Sequence, residues 1–84
     1  SLGYIHLCLG DHDRSIDCYE RALELLRALG APAFTATVLR DLGDAYRVAG
    51  DVPSARRSYA RSLEILEDLR DPGADQLRAR LTQI

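Results

Sequence analysis

The sequence predicts an all-α protein built from antiparallel helical hairpins, and three observations carry that expectation. Its 84 residues are dominated by Leu, Ala and Arg, all good helix formers, with 46% hydrophobic and 29% charged residues. Apolar positions recur at spacings of three and four, which places them on one face of a helix. Prolines and glycines punctuate these stretches at short, regular intervals. The length suits one small domain spanning 1–84. No apolar run approaches the length of a membrane span. A net charge of −2 leaves no basic excess for a general nucleic-acid surface.

The elements follow in order. A first helix is expected near 2–9. The chain opens with Ser-Leu-Gly, without methionine and already in helical pattern, so it reads as a piece of a longer protein. A second helix, near 13–29, follows Asp11 and Asp13 and carries Ile16, Tyr19, Ala22, Leu23, Leu26 and Leu29 on one face. A third, near 33–49, carries Phe34, Val38, Leu42, Ala45, Tyr46 and Ala49. Gly50 ends it, because glycine tolerates the positive φ common at helix ends. Asp51 then caps a fourth helix, near 52–69, by accepting a backbone N–H. Pro53 sits in its first turn, where a missing donor costs nothing. Ala55, Tyr59, Ser62, Leu63, Leu66 and Leu69 form its apolar stripe, with Tyr59 and Leu63 expected at the centre of the hairpin. A fifth helix is expected near 73–83. Connections of two to five residues make sequential helices antiparallel. The small residues Gly3, Gly43 and Ala55 permit close approach.

The chain also repeats itself at an offset of 40 residues. Leu2-Gly3 falls on Leu42-Gly43, and Gly10-Asp11 on Gly50-Asp51. Tyr19, Arg21, Leu23-Glu24, Leu26 and Leu29 fall on Tyr59, Arg61, Leu63-Glu64, Leu66 and Leu69. Pro32 and Arg40 meet Pro72 and Arg80 as a third copy begins. The expected units are about 2–31, 32–71 and a partial 72–84. Each hairpin buries its core only against its neighbours, as in a solenoid.

Leu42-Gly43, Tyr46, Gly50-Asp51, Ala55, Tyr59 and Leu63 resemble the tetratricopeptide repeat. The first unit departs from the pattern: His6 stands where Tyr46 does, and Ser15 where Ala55 does. The late alanine present as Ala22 becomes Ser62. The family's period is about 34 residues. The longer period here resembles the arrays of large bacterial signalling ATPases and transcription regulators. The resemblance implies a right-handed solenoid that binds proteins or peptides in a concave groove lined by the first helix of each hairpin. Carried over by position, that groove displays Tyr4, Leu7 and Cys8, then Thr37, Arg40, Asp44, Arg47 and Val48, then Leu77 and Arg80. Asp44 and the absence of lysine argue against the chaperone-tail clamp subtype.

Arg40, Asp44 and Arg47 lie along one helix face and are expected to form a charge ladder. Guanidinium forks bind carboxylates bidentately, so an acidic peptide is one ligand class for this face. The other reading is a solvated face of ion pairs worth about 0.3–0.5 kcal/mol each. The alternative to a binding scaffold is a spacer or self-association module, in which Leu2, Ile5, Leu9, Leu77, Leu81 and Ile84 pair with a second copy as a homodimer.

Other constellations carry less. His6, Cys8, His12 and Cys18 lack the tight spacing of zinc ligands, and His6 and Cys8 point to different helix faces. Two cysteines make no disulfide framework, and the expected setting is cytoplasmic and reducing. Ser15, Ser54, Ser58 and Ser62 have no histidine on a shared face, and no phosphate-binding loop is present. The pairs Asp41/Asp44 and Glu64/Glu67 are the solubilising kind. Arg56, Arg57 and Arg61 form a basic patch ringed by Asp51, Glu64, Glu67 and Asp68. The reading is therefore a module with no enzymatic chemistry, cofactor, metal, nucleic-acid partner or membrane partner.

Overall fold

A computed structural model describes residues 12–84. These described residues form four helices: α1 (His12–Leu29), α2 (Pro32–Val48), α3 (Val52–Asp68) and α4 (Gly73–Thr82). Each matches its expected helix to within one residue at either end. The expected helix 2–9 lies outside the described residues. No helix among those described is long and apolar enough to cross a membrane.

The connections share one chemistry. After α1, the Gly30 N–H bonds the Arg27 carbonyl and the Ala31 N–H bonds that of Leu26. After α2, Gly50 bonds Arg47 and Asp51 bonds Tyr46. After α3, Arg70 bonds Glu67 and Asp71 bonds Leu66. This paired closure satisfies two carbonyls that a helix end otherwise leaves open, and it places one residue at positive φ. Gly30 (65°) and Gly50 (86°) take that role cheaply, whereas Arg70 (55°) takes it as a non-glycine residue. Asp51 caps α3, its side chain accepting from the Ser54 N–H at 3.2 Å. Pro32 and Pro53 sit in first turns. These closures fold each helix back on the one before.

α2 packs on both α1 and α3, and α4 packs on α3. Between α1 and α2, Tyr19, Leu42 and Ala45 are buried, with Ile16, Val38 and Tyr46 against them. A second cluster joins Ala55, Tyr59 and Leu77, with Leu63, Leu66, Leu81 and Ile84 around it. The helices approach closely because small residues line their contacts. A Cβ on Gly43 would stand 2.6 Å from Tyr59 Cε1 and 2.7 Å from its Cδ1. The buried Ser62 donates to the Ala36 carbonyl at 2.6 Å, spending its hydroxyl across the α2–α3 contact.

Several packing expectations are corrected. Phe34 (68% exposed) and Ala49 lie outside the core, as do Leu29 (77%) and Leu69. The buried face of α2 runs instead through Thr35, Ala36, Leu39, Leu42, Gly43 and Ala45. Close helix approach selects that small-residue face and leaves Phe34, in the first turn, outside it. Leu63 is half-buried and packs against the cluster that holds the wholly buried Tyr59.

Candidate functional site

Two helices separated by one helix, α2 and α4, stand side by side with the intervening α3 behind them. A hollow of about 140 Å³ lies between them. α2 contributes Thr37 and Arg40, α4 contributes Gln76, Leu77 and Arg80, and Ser62 and Leu66 of α3 line it as well. Arg40 and Arg80 are equivalent positions of the repeat, so successive units each aim one guanidinium here. Thr37 donates its hydroxyl to the Ala33 carbonyl at 3.2 Å.

The two arginines are held differently. Arg80 Nη1 donates to both carboxylate oxygens of Asp44, at 3.0 and 3.3 Å. The same carboxylate accepts the Tyr59 hydroxyl. The Arg80 guanidinium also lies 5.9 Å from the Tyr59 ring centroid, within cation–π range. Asp44, Tyr59 and Arg80 therefore tie α2, α3 and α4 together. Burial, and then the bond to Asp44, push the Tyr59 hydroxyl up to about 12. Among the described residues Arg40 meets only Asp41, at 3.5 Å, with both side chains substantially exposed. Burial raises the Asp41 carboxyl above its ordinary value, against the pull of Arg40.

The expected Arg40–Asp44–Arg47 ladder is thus corrected: Asp44 turns to Arg80 and Tyr59, and Arg40 to its neighbour in sequence. Thr37, Arg40, Leu77 and Arg80 do meet around one hollow. Arg47 and Val48 are exposed but do not line it. Leu77 is 2% exposed and belongs to the core, so it forms a wall and is not displayed as expected. Tyr4, Leu7 and Cys8 lie outside the described residues. Sequence reasoning missed Gln76 and Ser62. Gln76 had a signal, standing four residues before Arg80 and so on the same side of α4. Of the cysteines, Cys18 is half-buried and free.

A family model of the tetratricopeptide repeat matches residues 1–68. No curated protein and no solved structure matches the chain.

Proposed function

This chain belongs to the tetratricopeptide-repeat family, a family of protein-interaction scaffolds, and on that premise we propose that the hollow between α2 and α4 binds an acidic peptide segment. The observation that carries this reading is the unequal commitment of the two arginines. Arg80 is consumed by Asp44, whereas Arg40 keeps an exposed guanidinium with one long contact. A ligand carboxylate replaces that contact and gains a charge-assisted bond. In the same proposal, units 2–31, 32–71 and 72–84 form the interaction or sensor part of a larger bacterial regulatory protein working in the cytoplasm.

Random-peptide display on the chain tests the site. Acidic sequences are expected to be enriched by the native chain and by Arg47→Glu, and lost with Arg40→Glu. Selection without acidic enrichment, or enrichment indifferent to Arg40→Glu, would overturn the reading.

Self-association is the second reading, and the exposed Leu25, Leu29 and Phe34 favour it. It no longer draws on the expected C-terminal patch: Leu77 is buried, and Leu81 and Ile84 pack against the core. Leu2, Ile5 and Leu9 lie outside the described residues. Light scattering that shows a concentration-dependent dimer would support this reading.

A further inference from the structure

A second hollow, of about 310 Å³, opens between α1 and α3. Its two main walls carry opposite charge. On α1, Glu20 and Glu24 stand one turn apart, with Arg27 at the end of the row. On α3, Arg57 and Arg61 stand one turn apart. The walls do not neutralise each other. Among the described residues, Glu24, Arg57 and Arg61 make no ion pair with any side chain. Glu20 accepts the Tyr46 hydroxyl at 2.8 Å, which leaves its second oxygen open. Arg57 donates to the Ser54 hydroxyl at 2.9 Å, a neutral acceptor.

The lining holds one more group that lacks a partner. Ser58 is 5% exposed, and among the described residues its hydroxyl makes no hydrogen bond. A buried hydroxyl left unsatisfied is costly, so something that enters the hollow and bonds it is favoured. Ser62, four residues further along α3, shows the contrast, because its hydroxyl is spent on Ala36.

We propose that this hollow binds a small zwitterion, a free amino acid or a dipeptide. Its carboxylate meets Arg57, Arg61 and the Ser58 hydroxyl, and its ammonium meets Glu20 and Glu24. A purely anionic ligand would face the two glutamates, and a purely cationic one the arginines. Only a ligand bearing both charges satisfies both walls. The volume lies at the bottom of the range for small-molecule sites, about 300–1,000 Å³, which limits the ligand to this size.

The test uses the whole chain, isotopically labelled, and follows amide resonances of Leu23, Tyr46 and Ser58. The probes are L-alanine, L-alanyl-L-alanine, the N-acetylated dipeptide and the dipeptide amide. An unblocked probe is expected to shift these resonances at millimolar concentration. Whether alanine or the dipeptide binds more tightly assigns the ligand length, and either result supports the site. Blocking either end is expected to weaken binding about tenfold or more. Glu24→Gln and Arg61→Gln alter exposed side chains and preserve the fold. Glu24→Gln weakens the unblocked dipeptide but not the acetylated one. Arg61→Gln weakens the unblocked dipeptide but not the amide. Arg40→Glu leaves all these affinities unchanged, which separates this site from the α2–α4 hollow. Absence of shifts with both unblocked probes, or blocked probes binding as tightly as unblocked ones, would overturn the proposal.

Discussion

Two residues govern this chain through their backbones. Gly43 lies in a helix interior, where alanine is ordinarily favoured by about 1 kcal/mol. Here a methyl group would meet the wholly buried Tyr59 ring at 2.6 Å, and neither can retreat from a packed contact. Gly43→Ala is therefore expected to destabilise, by about 1–3 kcal/mol in chemical denaturation, reversing the usual sign. Arg70 presents the converse case. It holds the positive φ that Gly30 and Gly50 hold elsewhere, and its side chain is exposed. Arg70→Gly is expected to raise the unfolding free energy by about 1 kcal/mol, read from the denaturation midpoint at constant slope. Both positions show where sequence reasoning reached and stopped. Gly43 was legible as a point of close approach because it is small within an apolar stripe. The strain at Arg70 was not, because an arginine carries no turn signal.

Helix boundaries were legible because Pro32, Gly50, Asp51 and Pro53 act locally, and local chemistry is what a sequence displays. The Asp51 cap has a pH signature. Bonds from the Ser54 hydroxyl and N–H hold the Asp51 carboxyl below its ordinary value. A depressed folded-state value adds stability above the unfolded value of about pH 4 and loses it as pH falls through the folded one. Asp51→Ala is expected to lower the thermal midpoint near neutrality, and the two melting curves should converge in strong acid. Helix faces were harder to assign than helix ends. The apolar spacing of α2 points to Phe34, but Thr35, Ala36 and Leu39 face inward, and of these the small Thr35 and Ala36 give little hydrophobic signal. Among the described residues α4 is the shortest helix, and its larger contacts are with α3 alone. Leu77, in the core, anchors it. Leu77→Ala is expected to cost about 2–5 kcal/mol. It should also erase hydrogen-exchange protection in α4 before that in α2, since α4 forms the more weakly supported unit.

At the scale of the whole molecule, the repeat was legible from identities at a single offset, and the pairing of distant charges was not. Asp44 and Arg80 are 36 residues apart, and only the antiparallel stacking of α2, α3 and α4 brings them to 3.0 Å. Helical periodicity had offered Asp44 two nearer partners on its own helix. Sequence reasoning therefore reached Arg40 and Arg80 as repeat equivalents, which the structure places around one hollow, but not the bond that ties Arg80 to Asp44. The same turn closure recurs at Gly30, Gly50 and Arg70, one every 20 residues, and this regularity works as a ruler. Splicing in one helix and its turn would reverse the direction of every later helix and turn each binding face inside out. Splicing in two would keep every later face in phase. A gene encoding such a chain can lengthen or shorten by whole hairpins and still fold, so the reach of its binding surface can change in discrete steps while the chemistry of each step is preserved.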